Sequence, residues 1–186
     1  MKLRLILLFG CLIVMSSCME KPQATTQNYF RLREFILQQI ALAEKQDWTI
    51  QKKVKLNEKE GQELESNPSW EDEWGMFIQA DINKPAFQYS YTTDTVGNRI
   101  IYAAKPEENL EIKETIVELD ELKEPMKIFI RTENKNILFH TKRNLYIELK
   151  DHQITKYEIK GYQKIVLLNA TEYLVRGEII IPQTNR

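Results

Sequence analysis

The chain is poor in the residues from which disulfides, metal sites and phosphate loops are built. Its 186 residues include two cysteines, two histidines and six glycines. Cys11 lies inside an apolar run, which leaves Cys18 as the single cysteine of the remaining chain. No glycine-rich phosphate loop or dinucleotide fingerprint occurs. A domain that begins at Cys18 has no internal disulfide, so its stability must come from its core.

Candidate catalytic residues are also scarce. The serines after residue 18 are Ser66, Ser69 and Ser90, and none lies in a Gly-x-Ser-x-Gly context. His140 and His152 fall near turns at opposite ends of a predicted strand, too far apart to share a zinc ion. We therefore expect no metal and no cofactor, and we favour a non-enzymatic protein.

Acidic residues are plentiful but not arranged for an obvious site. The densest groups are Glu107-Glu108 and residues 118–124, which lack the glycine that a sharp calcium-binding turn uses. Both are predicted to be solvated charged turns. A sequence does not show which carboxylates face each other across a cleft, so a small carboxylate-based hydrolase stays open as an alternative.

The N-terminal segment has the layout of an export signal. Met1 to Arg4 carries two positive charges, residues 5–15 are almost wholly apolar, and Ser16, Ser17 and Cys18 follow. The apolar run is about half the length needed to cross a bilayer, which is typical of a signal peptide rather than a transmembrane helix. We expect residues 1–17 to be removed.

A cysteine placed directly after small residues resembles the lipobox of bacterial lipoproteins. The resemblance implies cleavage before Cys18, acylation of its sulfur and amino group, and a protein anchored by lipid in the bacterial cell envelope, at the outer membrane. Residues 18–27 are then the lipidated cysteine and a tether. Removing residues 1–17 takes away Lys2 and Arg4 and no acid, so the net charge falls from −1 to −3. A mildly acidic chain is a poor nucleic-acid binder.

Residues 28–186 are predicted to form one globular α+β domain. Apolar residues spaced by three and four predict a helix over 28–46, and a second helix follows Ser69, which we expect to act as its cap. A strand over 48–56 and a polar loop over 57–67 lie between them. Further strands are predicted at 87–93, 99–104, 110–119, 126–132, 137–141, 145–150, 153–160, 163–169 and 171–181.

The short connections between these strands leave no room for helices. Neighbouring strands should therefore pair antiparallel, as a meander of about seven to nine strands in one large curved sheet with both helices on one side. Alternation in 137–181 predicts that one set of residues shares the buried face while Glu148, Lys156 and Lys160 face water. The predicted buried set is Leu145, Ile147, Leu149, Tyr157 and Ile159.

Trp70, Trp74 and Phe77 form an aromatic stripe on the second helix. They are predicted to be core residues, with an apolar ligand pocket as the alternative. Overall we expect an anchored domain that binds an envelope protein or an apolar ligand. A more specific alternative is a lipid or lipoprotein carrier with a hollow half-barrel, because the architecture is similar to that of the outer-membrane lipoprotein acceptors.

Overall fold

The computed structural model describes residues 29–66 and 68–182. Within them the chain forms two α-helices, a short 3₁₀ turn at Pro85–Phe87 and nine strands. The helices are α1 (Leu32–Lys45) and α2 (Trp70–Gln79). The strands are β1 (Thr49–Leu56), β2 (Lys59–Ser66), β3 (Tyr91–Val96), β4 (Arg99–Ala104), β5 (Ile112–Leu119), β6 (Pro125–Lys135), β7 (Phe139–Lys150), β8 (Gln153–Ile165) and β9 (Thr171–Ile180).

All nine strands belong to one open, curved antiparallel sheet. Its order is β2-β1-β9-β8-β7-β6-β5-β4-β3, so strands β3 to β9 are a meander and the β1–β2 hairpin is added beside β9. Each connection in the meander is a short turn or loop, which explains why neighbours pair antiparallel. The predicted α+β architecture is therefore confirmed.

Both helices pack on the same face of the sheet. The stripe of α1 contributes Leu32, Ile36, Ile40 and Ala43 to the core, and α2 contributes its aromatic residues. From the sheet, every member of the predicted buried set is at most 8% exposed. Lys156 and Lys160 are exposed and Glu148 is intermediate. The period-two alternation thus predicted the orientation of these strands correctly.

Two predicted strand breaks in 137–169 are wrong. Residues 139–150 form the single strand β7 and residues 153–165 form the single strand β8, whereas 137–138 and 166–169 lie in turns. The polar residues 142–144 do not turn the chain; they continue β7, paired with residues 131–133 of β6 and 160–162 of β8. Gly161 is not a turn residue either. A Cβ there would overlap the ring of Tyr173, so glycine permits close packing across β8 and β9.

The segment predicted as a polar loop over 57–67 contains strand β2. Its sequence shows no apolar alternation, because β2 is an edge strand paired only with β1. Charged residues are common on edge strands, where they discourage pairing with other chains. Periodicity detects a buried face, so it misses a strand whose sequence has no apolar alternation.

The helix starts also differ from the prediction in detail. α1 begins at Leu32, not at 28, and the backbone N–H of Arg33 in its first turn donates to Asp81 Oδ2 at 2.8 Å. Ser69 does occupy the N-cap of α2, but its side chain makes no capping hydrogen bond. Asp81, remote in sequence, therefore satisfies a helix-start N–H that the local sequence leaves without a partner.

A tyrosine cluster holds the start of the described chain. The hydroxyl of Tyr29 donates to the carbonyls of Phe87 and Gln88 at 3.2 and 3.0 Å. Its ring lies 5.7 Å from that of Tyr91 and 5.6 Å from that of Tyr102, both edge-on. Burial raises the pKa of all three phenols, so they remain neutral donors at physiological pH.

Candidate functional site

The most prominent candidate site is an apolar groove between α1 and the sheet, which we call the α1 cleft. Its volume is about 640 Å³, within the range of small-molecule sites in proteins. It lies toward the end of the sheet where the β5–β6 and β7–β8 turns are found. The lining comprises Phe30, Phe35, Gln38, Gln39, Leu42, Ile100, Val117, Leu119, Lys123, Glu124, Pro125, Leu149 and His152.

The walls of the α1 cleft are mainly aromatic and aliphatic. Phe35 and Leu42 of α1 are only partly buried although both pack against the core, and the rings of Phe30 and Phe35 lie 5.8 Å apart. On the opposite side Val117 is buried, while Ile100 and Leu119 are half-exposed. Half-exposed large side chains on two facing elements form a surface that can bury a further apolar group.

Gln39 fixes the position of α1 over this cleft. Its side chain is 4% exposed, and its Nε2 donates to the carbonyl of His152 at 2.9 Å while its Oε1 accepts from the N–H of Ile154 at 3.0 Å. Both polar atoms of the amide are thus used, and the helix is tied to the β7–β8 turn. Because this contact holds α1 at the cleft, we expect the cleft to be largely pre-formed.

Polar residues are confined to one part of the lining. Lys123, Glu124 and His152 come from turns at the end of the sheet, and Gln38 comes from the exposed side of α1. Among the described lining residues Glu124 is the single carboxylate. The arrangement suits a ligand with an apolar body and a polar end, and it does not supply the facing acid pair of glycoside hydrolysis.

The predicted aromatic stripe lies elsewhere, in the solid part of the core. Trp70, Trp74 and Phe77 are at most 2% exposed. The rings of Trp70 and Trp74 are 4.8 Å apart, and Phe77 meets Tyr157 edge-on at 6.1 Å. The α1 cleft is lined by other residues. This placement favours the core interpretation of the stripe over the pocket interpretation.

A charged pair lies next to this aromatic core. Glu73, in the first turn of α2, receives hydrogen bonds from Lys52 Nζ on β1 and from the Tyr157 hydroxyl on β8. The Lys52 and Glu73 side chains are 19% and 13% exposed. The carboxylate therefore links α2 to two strands of the sheet, and no sequence pattern connected these three residues.

The histidines are farther apart than predicted, because residues 142–144 do not form the turn expected beside His140. His140 lies near the start of β7 and His152 in the turn after its end, separated by almost the whole strand, on the order of 30 Å. His140 Nε2 bonds to Glu133 Oε1 at 2.7 Å, which lowers the pKa of that carboxyl. Among the described residues, no group of three or more His, Cys, Asp or Glu side chains is placed to hold a metal ion.

Residues 120–124 of the acidic segment form the β5–β6 turn, as predicted, whereas Glu118 and Leu119 belong to strand β5. Asp120 Oδ1 accepts from the N–H groups of Leu122 and Glu124 at 2.8 and 2.9 Å. Glu118 instead pairs with Arg99 and Lys127 on the outer face of the sheet. These contacts give part of the acidic cluster a structural role in shaping a turn and in pairing charges.

Cys18 and the tether lie outside the described residues, so the lipidation prediction is not addressed by the geometry. In the part of the chain that is described, neither helix has the length and apolar character needed to cross a bilayer. No protein-family model, no curated protein and no solved structure matches this chain.

The α1 cleft was not predicted from the sequence. One signal was present: Gln39 falls on the apolar stripe of α1, between Ile36 and Ile40, where a polar side chain needs a buried partner. Its partners are 113 and 115 residues away along the chain. No local pattern identifies such distant contacts, and none shows that a half-buried residue such as Leu119 lines a cleft.

Proposed function

We propose that this protein is a lipid-anchored lipoprotein of the bacterial envelope whose domain binds an apolar or amphiphilic ligand in the α1 cleft. The observation that carries the proposal is the combination of about 640 Å³ of space with mainly aliphatic and aromatic walls. Sites of this kind obtain affinity from apolar burial and orientation from a few polar groups. The polar end of the ligand lies near Lys123 and His152.

This proposal refines the carrier alternative and favours it over a hydrolase. An acyl chain or another slender apolar group fits a groove that is open along one side, since such a groove covers the chain while its polar end stays in water. A carboxylate hydrolase requires two facing acids, whereas the described lining contains Glu124 alone. The ligand class we propose is therefore a lipid or lipid-modified molecule.

Ligand binding is tested by filling the cleft. Leu119 is a half-exposed cleft residue on β5, so Leu119→Trp introduces a larger side chain into the groove without a buried-core substitution. We expect a fluorescent fatty acid to bind the parent chain and to bind Leu119→Trp at least about tenfold more weakly, a loss of about 1.4 kcal/mol.

Val96→Trp is the matched control, because Val96 is 58% exposed on β3 and does not line the cleft. It should bind the probe as the parent does. Lipid extraction of the purified protein followed by mass spectrometry provides a second readout. Equal binding by the parent and Leu119→Trp would exclude the α1 cleft as the binding site.

The anchor is tested separately. Cys18→Ala should give a product that either leaves the membrane fraction or accumulates as an uncleaved precursor, since no acyl chain can then be attached. Fractionation and intact-mass measurement distinguish these outcomes. Unchanged processing and unchanged membrane association would contradict the lipoprotein assignment while leaving the α1 cleft as a ligand site.

A further inference from the structure

Two neighbouring turns at one end of the sheet expose a cluster of large aliphatic side chains, which we call the apolar tip. Ile137 is 91% exposed and Leu167 is 98% exposed. The β6–β7 and β8–β9 turns are in contact, because the N–H of Val166 donates to the carbonyl of Leu138 at 2.9 Å. The tip consists of Ile137, Leu138, Ile165, Val166, Leu167 and Leu168.

The turns of the apolar tip are held in place by hydrogen bonds. Asn136 Oδ1 accepts from the N–H groups of Leu138 and Phe139 at 2.8 and 2.9 Å. Leu167 has a φ of +68°, a left-handed conformation that costs free energy for a branched side chain. The exposed side chain of Leu167 buries too little apolar surface within the domain to offset this cost. Exposed apolar clusters of this kind mark interaction surfaces.

The charge around the apolar tip identifies the partner. Residues 134–142 and 160–171 contain four lysines, of which Lys142 pairs with the flanking Glu133, and no acid, in a chain whose net charge is −1. At the opposite end of the sheet, the β5–β6 and β7–β8 turns carry one lysine, Lys123, and four acids, Asp120, Glu121, Glu124 and Asp151. Aliphatic side chains surrounded by lysines complement an anionic lipid surface, where both apolar insertion and charge attraction contribute.

The chain also enters the domain at this end of the sheet. Strand direction alternates, so the start of β3 lies at the same end as the β6–β7 and β8–β9 turns. Tyr29 packs on Tyr91, the first residue of β3. The tip is four to five strands away across the sheet and about five residues further along it, about 25–30 Å in all. Residues 19–28 span at most about 33–36 Å, so a lipid on Cys18 and the apolar tip can reach one membrane.

We propose that the apolar tip inserts into the headgroup region of an anionic membrane and orients the domain on that surface. This interaction is separate from ligand binding in the α1 cleft. With the tip inserted, the β5–β6 and β7–β8 turns that border the cleft lie at the far end of the sheet from that membrane.

The insertion is tested with a tryptophan reporter. Leu167→Trp in the full-length chain is mixed or reconstituted with vesicles that contain phosphatidylglycerol carrying brominated acyl chains. The native tryptophans Trp48, Trp70 and Trp74 are at most 2% exposed, so they contribute little quenching. We expect the reporter emission to shift to shorter wavelength and to be quenched. Val96→Trp, at the opposite end of the sheet, should show neither change.

A second test removes positive charge near the apolar tip. Adding Lys135→Gln and Lys164→Gln to Leu167→Trp should weaken the tip–membrane equilibrium by about fivefold per lysine, and phosphatidylcholine vesicles should give a weaker response than phosphatidylglycerol vesicles. A reporter that stays unquenched in phosphatidylglycerol vesicles overturns the proposal. A reporter whose emission changes with protein concentration in the absence of vesicles also overturns it, because the tip then contacts a second copy of the chain.

Discussion

The two helices cover one sheet in different ways. Beneath α2, Trp70, Trp74 and Phe77 fill the space down to the strands, and Glu73 adds polar contacts to Lys52 and Tyr157. Beneath α1, Leu32, Ile36 and Ile40 are buried, but Phe35 and Leu42 stand at an open groove. The same layer arrangement therefore gives a filled core beneath the aromatic stripe of α2 and a ligand-sized space beside α1, while a second space of about 550 Å³, lined partly by Arg33, Glu111 and Arg143, lies near the end of α2.

The difference follows from side-chain volume and from helix attachment. α2 presents large aromatic rings along its inner face, and such rings fill the separation between a helix and a sheet. The buried stripe of α1 presents smaller aliphatic residues, and the helix is held at its start by Asp81 and further along by Gln39. A helix fixed in this way can stand over a groove without collapsing into it, so we regard the α2 side as structural and the α1 side as functional.

The largest expected effect comes from the sheet residues that both sides share. Ile147 is fully buried on β7, so Ile147→Asp would place an unpaired charge in the core and should abolish cooperative unfolding. Lys156→Ala, on the exposed face of β8, should change the melting temperature little. Circular dichroism during thermal melts measures both. A folded Ile147→Asp together with an unfolded Lys156→Ala would invert the assigned faces of the sheet.

Truncating a large side chain on each of the two helices should lower the free energy of unfolding by unequal amounts. Trp74 is fully buried, so Trp74→Ala should lower the free energy of unfolding by about 3–5 kcal/mol. Phe35 lines the open cleft and is already half-exposed, so Phe35→Ala should cost less than half as much. Urea unfolding followed by circular dichroism measures the two values. Equal costs would mean that the α1 side is as tightly packed as the α2 side.

The Glu73 contacts are expected to make a smaller contribution. Glu73→Ala removes the acceptor for Lys52 and Tyr157 and should cost about 1–3 kcal/mol in unfolding free energy. Glu71→Ala is the matched control, because Glu71 lies in the same first turn of α2 but is exposed. Both variants lose the same favourable charge at the helix start, so the difference between them reports the buried contacts alone. Identical values would show that these contacts add no stability.

The smallest effect should come from a charged pair outside both helix-covered regions. The His140 hydrogen bond, together with Lys142, lowers the pKa of Glu133 in the folded state. Because the pKa of Glu133 is lower in the folded state, its ionised form stabilises the fold at any pH above the ordinary pKa of 4.5. This stabilisation is lost as the pH falls through the lower pKa of the folded state. Glu133→Gln should therefore reduce stability slightly near neutral pH and have no effect in strong acid. Urea unfolding at both pH values checks the sign; a larger loss in acid would contradict it.

The sequence was sufficient to predict the sheet wherever burial imposes a period. Alternation between Leu145 and Leu149 identified the inner face of β7, and the spacing of Ile36 and Ile40 identified the inner face of α1. It failed at the edge strand β2 and at residues 142–144, because neither segment shows an apolar pattern. Periodicity reports which face is buried, not where a strand ends.

The candidate sites were less predictable for a related reason. The α1 cleft depends on the distance between a helix and a sheet, which is set by Gln39 and two backbone groups more than a hundred residues away. The apolar tip depends on two turns that are distant in sequence and adjacent in space, such as Leu138 beside Val166. Both features arise from tertiary contacts that no local pattern encodes.

The difference between the two sides is tested most directly by methyl NMR of the protein titrated with lauric acid. We expect chemical-shift changes at the methyl groups of Leu42, Val117 and Leu119, which line the α1 cleft, and none at the core methyl groups of Ile50 and Ile179, which are paired on β1 and β9. Absence of saturable shifts at the cleft methyl groups, or shifts of equal size in the core beneath α2, would contradict the assignment of α1 as the functional side.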